Sequence, residues 1–365
     1  MTTPAREPVA AAAQSCGGGA AVSVLIIHVG RTALLEGCLA SLNATTGRLD
    51  VELVVVDNRS AAPDEVAAVV AGQPRAHLVR LTERVGYGAA TNAGLRQCSG
   101  RYVLWCNNDL VFRDGAVARL AAFLDGAPAY AVASPKLLNP DGTVQYCFAL
   151  RHISVAPLVV ERLGLSAILP SLDMDRHWRG YEHEARDVAV GAGACCLIRR
   201  SALDAIGGTI DAGFYMYAEE YDLCHRFWKA GWRVRYLPEA TVEHLGSQSS
   251  HAAPGASKFP FAVQGWRSKF RYLRKHYGAG AELAYAAAFA AGGAGRTAIT
   301  SVMAAACRLA GRQAQADELW ARVRLHAYLT GMALRRERRA AERLPSWPPP
   351  AGAQAGRPIS RPAGT

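Results

Sequence analysis

Two adjacent carboxylates, Glu219 and Glu220, open a chemically suggestive stretch, FYMYAEEYDLCHRFWKAGWRVRYLPEATVEHLGSQS, over Phe214–Ser249. Tyr221, Cys224, Phe227 and Trp228 follow at helical spacing up to Gly231, so the pair sits in the first turn of a helix. Acidic residues there are favoured by the helix dipole, which explains many such pairs as good helix starts. The same field keeps a carboxylate ionised at neutral pH, the state in which a general base accepts a proton. Further on, His244 follows a strand-like run, Val234–Leu237, and precedes Gly246-Ser247, where a loop ligand would stand. Much earlier, Asn107-Asn108-Asp109 closes a hydrophobic run, Arg101–Cys106. Hard cations such as Mg²⁺ bind carboxylate and phosphate oxygens and take few protein carboxylates in nucleotide sites. An added imidazole suits Mn²⁺ or Mg²⁺. Singly, each motif has a plainer meaning as a polar strand end or a structural histidine. Together they suggest a divalent metal, a diphosphate and a general base, the parts needed to move a sugar from a nucleotide onto a hydroxyl.

The elements that must position these groups alternate. Val22–Val29 and Val51–Val56 are continuous apolar, β-branched runs, as expected of buried parallel strands. Thr32–Leu42 and Ala61–Ala71 read as helices, and His77–Leu81 as a short strand. Gly86–Gly100 begins as a glycine turn and continues as a helix carrying Asn92; it lacks the G-x-G-x-x-G spacing of a dinucleotide fingerprint but suits a turn beside a nucleotide pocket. The alternation predicts a doubly wound, Rossmann-like, mostly parallel α/β sheet. Such sheets bind ligands at the carboxyl ends of their strands, where Asp57 and Asp109 both fall. Asp57 is either a partner for a base or ribose or an ordinary Asx turn. Ala131–Leu138 and Thr143–Phe148 suit a hairpin across Asn139-Pro140-Asp141-Gly142. Val188–Ile198 reads as one strand interrupted by Gly191 and Gly193, where a ligand or another backbone comes close. Ser201–Ile206 reads as a short helix stopped by Gly207-Gly208.

The formal charge of +11 on 365 residues is unevenly placed. Residues 255–365 carry 18 Lys+Arg against 5 Asp+Glu, and residues 1–254 carry 23 against 25. The part with catalytic residues is therefore near neutral, which argues against a nucleic-acid partner. A basic helical segment points instead to a solvated face or an anionic membrane surface. Within it Trp266–Tyr277 is basic and aromatic, while Ala281–Ala294 and Ile299–Ala306 are apolar but short of the roughly 20 residues a spanning helix needs. Nine cysteines, mostly in apolar runs and without a C-x-x-C, fit a reducing cytoplasm rather than a disulfide scaffold or zinc site. The expected organisation is a tail at 1–21, a catalytic domain at 22–255, a helical region at 256–344 and a Pro/Gly-rich tail at 345–365. The expected location is the cytoplasm, with the inner face of the membrane as the contact surface if the helices touch lipid.

The collinear blocks VSVLII, CLASL, VELVVVDNRS, GYGAATNAGL, GRYVLWCNND, GAGACCLIRRSALDAIGG and Phe214–Ser249 resemble the bacterial family 2 glycosyltransferases, in their rhamnosyltransferase-like and galactofuranosyltransferase-like branches. The resemblance covers residues 22–250. It implies a GT-A fold with a C-terminal helical appendage, a nucleoside-diphosphate sugar donor, Mg²⁺ or Mn²⁺, and inversion at the anomeric carbon. It also implies a lipid-linked saccharide or another hydroxyl acceptor and a place in cell-surface glycan synthesis. Carried over by position, Asp57, Asn92, Asn107 and Gly193 belong to the donor site, Asp109 and His244 to the metal, and Glu220 is the base. The chain departs from the family pattern in three places. The first strand ends His28-Val29-Gly30-Arg31, Arg84 stands where asparagine is common, and the base position is Glu rather than Asp. Two rival readings are a nucleotidyltransferase, for which Gly30-Arg31 is a thin phosphate loop, and a non-catalytic nucleotide-binding scaffold.

Overall fold

The computed structural model describes residues 21–47, 49–113, 115–145, 148–172, 180–246 and 259–335. The expected tails and the junction near residue 255 lie largely or wholly outside them. The chain runs β1 (Val22–His28), α1 (Thr32–Thr45), β2 (Val51–Asp57), α2 (Pro63–Ala71), β3 (Ala76–Arg80), α3 (Tyr87–Leu95), β4 (Tyr102–Asn107), β5 (Leu110–Phe112), α4 (Ala116–Gly126) and β6 (Tyr130–Leu138). It continues through α5 (Val155–Leu163), β7 (Arg186–Val188), β8 (Cys195–Arg199), α6 (Arg200–Ala205), α7 (Glu219–Lys229), β9 (Arg233–His244), α8 (Phe259–Leu309) and α9 (Gln313–Leu334).

The strands form one sheet in the order β3-β2-β1-β4-β8-β6-β9-β5, with β7 also on β9. The half from β3 to β4 is parallel throughout. Its inner strands β1 and β2 are buried on both faces, which is why they read as unbroken apolar runs, while β3 is a half-exposed edge. This is the doubly wound α/β architecture expected, with β4 and its terminal Asn107 in the middle of the sheet.

Three details differ from the sequence-based expectations. The run Val188–Ile198 is not one strand. Its start pairs with β9 as β7 and its end pairs with β4 and β6 as β8, so 189–194 crosses between strands. The Asn139–Gly142 turn forms, but the second hairpin arm is only the bridge Leu138–Val144, and residues 146–147 lie outside the described ones. Strand β9 is far longer than Val234–Leu237. Its register against β6 jumps from Leu237 to Thr241, so it bulges past Pro238, which has no N–H to give the ladder, and continues to His244. His244 is therefore a strand end and not a loop residue.

The C-terminal helices build a second core that includes residues of the catalytic region. Phe214 and Ala218, just before α7, are buried with Phe270, Tyr272, Leu273, Tyr285 and Phe289 of α8 and with Ile153 and Leu158. Within Trp266–Tyr277, Phe270 and Tyr272 are interior, Trp266 is half-buried and Tyr277 is exposed. Helix α8 is broken at Gly278, whose φ of 86° only glycine adopts easily, and its second part lies against α5 and α9. Among the described residues no helix is long and apolar enough to cross a membrane.

The seam between α7 and α8 is lined with histidine. His225 stacks on His276 at 4.1 Å, lies 4.8 Å from His152, and hydrogen-bonds Tyr272 Oη through Nδ1 at 2.5 Å. Asp222 is fully buried and receives Lys275 Nζ at 2.6 Å, His276 Nε2 at 2.7 Å and Arg226 Nε at 3.0 Å. Burial, then the neighbouring His276, His152 and Lys229, push His225 down to about 3, while Asp222 pulls the other way. Burial and His276 push His152 down to about 4. Both rings fold neutral, so their stabilising contribution is complete above their ordinary 6.5 and is lost as pH falls through it. Between about pH 6.5 and 4 the wild type should lose more of its thermal midpoint than His225→Gln does, while above pH 7 the two profiles should run parallel. A His225→Gln midpoint that falls as steeply in acid as the wild type's would contradict this reading of the seam.

Candidate active site

Helix α7 starts where it does because its approach is held from two sides. Tyr217 and Ala218 both take positive φ, 68° and 66°, an uncommon conformation for residues with a Cβ. Such strain persists only where the surroundings over-determine it. On one side Tyr87 N–H donates to Tyr215 O at 2.6 Å, and a Cβ on Gly86 would lie 2.6 Å from Tyr215 Cα, so only glycine permits this approach. On the other, Ser268 Oγ of α8 donates to Met216 O at 2.8 Å, and Arg271 and Lys275 hold Asp211 while lying over the Phe214 ring. The helical region therefore fixes the loop that presents Glu219 and Glu220.

Those carboxylates do not behave as the helix dipole alone would dictate. Burial pushes Glu220 up to about 7, against backbone hydrogen bonds from the helix start that pull it down. Burial and then the charge of Glu220 push Glu219 well above the ordinary carboxylate range. The expectation of a base held fully ionised by the dipole is thereby corrected: desolvation outweighs the amides. Both carboxyls are pushed toward the protonated form, Glu219 further than Glu220. Trp228, expected on the buried face of α7, is 61% exposed, and the buried face is instead carried by Leu223, Cys224, His225 and Phe227.

Asp109 and His244, 135 positions apart, are brought together by the β5–β9 pairing. Leu110 is opposite His244, and Leu245 N–H donates to Asp109 O at 3.0 Å. His244 Nε2 lies 3.4 Å from Asp109 Oδ1. The other ring nitrogen, Nδ1, is 2.9 Å from Gln145 Oε1, and Gln145 Nε2 donates to His244 O at 2.8 Å. If Nδ1 carries the proton donated to Gln145, Nε2 presents its lone pair beside Asp109, the arrangement that orients a metal-binding imidazole. Asp109 is 1% exposed, yet neither carboxylate oxygen has a hydrogen-bond partner. A buried carboxylate left bare is costly unless something charged meets it. The donor set of one carboxylate and one imidazole fits a hard divalent ion whose other positions are filled by phosphate and water oxygens. No cluster of three or more potential ligands occurs among the described residues.

One cavity, about 380 Å³, joins these groups: Asn107, Asp109, Gln145, Gly193, Glu219, Glu220 and His244 all line it. A Cβ on Gly193 would sit 3.0 Å from Glu220 Cδ, so glycine there leaves room for the Glu220 side chain. Gly193→Ala should accordingly lower kcat by about tenfold or more with only a small change in melting temperature. Equal losses in both would reduce Gly193 to a packing residue. Asn107 Oδ1 accepts from Tyr87 Oη at 2.7 Å. Two of the expected donor residues do not line the cavity. Asp57 is buried at the end of β2, where its Oδ1 accepts from Ser60 N–H at 2.7 Å, the ordinary Asx turn. Asn92 is spent on both ends by the Ile210 backbone, at 2.7 and 2.8 Å, tying α3 to the 206–215 segment. Sequence reasoning passed over Gln145, Tyr87 and Asn108. Asn108 Nδ2 meets His28 Nδ1 at 2.8 Å and Val29 O at 3.1 Å, latching the β4–β5 turn to the end of β1. Its place between Asn107 and Asp109 was the available signal.

The family model for glycosyl transferase family 2 matches residues 23–207, and that for glycosyl transferase family group 2 matches residues 174–332. The chain belongs to glycosyl transferase family 2. Over 239 residues it is 31% identical to an N-acetylglucosaminyl-diphospho-decaprenol L-rhamnosyltransferase of Mycobacterium tuberculosis (strain CDC 1551 / Oshkosh), covering 61% of this chain and 75% of that one. It is 28% identical over 238 residues to the O-antigen biosynthesis protein RfbC of Myxococcus xanthus, covering 63% and 18%. The fold is shared with the mannosyltransferase PcManGT of Pyrobaculum calidifontis, solved with GDP-Man and Mn²⁺. That match has a TM-score of 0.51 and 20% identity, and covers 87% of each chain. GalNAc-T7, solved with UDP, GalNAc and Mn²⁺, matches at a TM-score of 0.50 and 17% identity, over 70% of this chain and 48% of that one. This family 2 glycosyltransferase is thus a GT-A, rhamnosyltransferase-like hexosyltransferase, and the nucleotidyltransferase and scaffold readings give way.

Proposed function

We propose that this enzyme transfers a sugar, with inversion, from a nucleoside-diphosphate sugar to a hydroxyl of a lipid-linked saccharide, with Mg²⁺ or Mn²⁺, in cell-surface glycan synthesis at the cytoplasmic side of the membrane. The observation that carries it is the bare, buried Asp109 carboxylate facing His244 Nε2 in the same cavity as Glu220. The Mycobacterium tuberculosis relative, whose name specifies a diphospho-decaprenol-linked acceptor, and the neighbours solved with Mn²⁺ support the finer reading.

Asp109 and His244 would hold the metal, which when bound neutralises charge on the leaving diphosphate. Gln145 keeps the His244 ring turned toward Asp109. Arg84, the single guanidinium among the lining residues, adds positive charge for the donor. Glu220 takes the proton of the acceptor hydroxyl as that oxygen attacks the anomeric carbon, and the sugar–phosphate bond breaks on the opposite side. Glu219, which holds a proton more readily than its neighbour, leaves Glu220 as the acceptor of that proton. Nucleoside-diphosphate sugars screened for binding with and without Mn²⁺ test the proposal. Metal-strengthened binding of at least one donor, followed by nucleoside diphosphate release on adding a polyprenyl-diphosphate saccharide, is the expected result. Absence of binding across donors, with or without metal, would overturn it.

A further inference from the structure

Beyond Gly278 the outer face of α8 is almost without charge. Every exposed residue from Leu283 to Leu309 is apolar or glycine except Arg308. The bulky members are Leu283, Ile299, Val302, Met303 and Leu309, from 51% exposed at Met303 to 91% at Leu309. At about 1.5 Å per residue the stripe is about 39 Å long. The opposite side of the helix, with Ala304 buried, faces the hairpin interior, and α9 turns charged residues such as Asp317, Glu318, Arg322 and Arg324 outward. The hairpin therefore has one polar face and one bare apolar face, a pattern that marks an interaction surface.

Charge decides between occupants. The single acidic residue of α8, Glu282, is buried and paired with Arg274 at 2.8 Å, so no acid is exposed along the stripe. At its far end Arg308 and Arg312 are exposed and have no ion pair among the described residues. A second copy laid parallel would set these arginines against their own counterparts. Laid antiparallel, it would meet them with a stripe that exposes no acid. Neither arrangement gives the arginines a counter-charge, which disfavours self-pairing. A surface offering hydrocarbon below and negative charge above satisfies both features at once, and the helix must lie on it, because it is not apolar enough to cross.

We propose that the face of α8 from Leu283 to Leu309 docks the enzyme on an anionic lipid bilayer, with Arg308 and Arg312 among the headgroups. The surface is not the Trp266–Tyr277 segment, whose Phe270, Tyr272 and Leu273 are interior. The proposal deepens the proposed action on a lipid-linked acceptor and rests on that reading for its purpose, but vesicle binding is measured without acceptor or donor. The experiment is co-sedimentation of the full chain with phosphatidylcholine vesicles, with and without phosphatidylglycerol, at low and high salt. Binding should require phosphatidylglycerol and weaken about tenfold or more in high salt. The pair Val302→Glu/Met303→Glu should remove it, and Arg308→Glu/Arg312→Glu should weaken it about tenfold or more, with donor binding unchanged in both. If the first pair melts below the wild type, the arginine pair decides. Binding indifferent to these variants, equal binding to neutral vesicles, no binding, or a dimer by sedimentation velocity that the first pair dissociates would each overturn the proposal.

Discussion

Glu220→Gln is expected to lower kcat by about 10²–10⁴-fold while donor affinity stays close to wild type. Glutamine keeps the size and most hydrogen bonding of the side chain but accepts no proton. The structure adds a discriminating control. Glu219 is pushed further up than Glu220, by burial and by its neighbour, so it holds a proton more readily and Glu219→Gln mimics its neutral form. That variant should keep most of its activity. Glu220, pushed up to about 7 by burial, loses its role as pH falls below that value, so kcat/KM should decline on the acid side near neutrality. A Glu219→Gln defect larger than that of Glu220→Gln would exchange their roles.

Asp109→Ala should bring transfer to background, the largest loss expected of any single change outside the base. The carboxylate is buried without a hydrogen-bond partner, so little of the fold depends on it, and the variant should melt at or above the wild-type temperature. Removing a buried polar group that makes no hydrogen bond relieves a desolvation cost; loss of function with gained stability is the signature of a site built for a ligand. Gln145→Leu, which frees the His244 ring to turn, should weaken metal-dependent activity by about 10–100-fold. Full activity of Asp109→Ala, or of the wild type in excess chelator, would remove the metal from the account.

The parallel half of the sheet was legible because strands buried on both faces leave an unbroken apolar signature, as Val22–His28 and Val51–Asp57 do. The carboxylate-led start of α7 was legible because helix spacing and a glycine stop frame it. What escaped was set by tertiary pairing. Nothing in VAVGAGACCLI marks that its two ends join different strands, because pairing partners are chosen by the sheet and not by the run itself. Pro238 hid the second half of β9, and with it the reason His244 stands beside Asp109. Gln145 carries no local signal at all, since its role exists only through a residue 99 positions away. The protonation of the glutamate pair was misjudged because the helix dipole is visible in sequence and desolvation is not. Asn92 looked like a pocket residue from its neighbours, but its amide is consumed by Ile210.

The anomeric configuration of the first product tests the single displacement at Glu220 most directly. Purified enzyme, the donor found by screening, Mn²⁺ and an acceptor should give a glycoside whose anomeric proton signal shows configuration opposite to that of the donor. Glu220→Gln should yield the same product more slowly. A product that retains the donor's configuration would contradict the account, because a single in-line displacement assisted by Glu220 inverts the anomeric carbon.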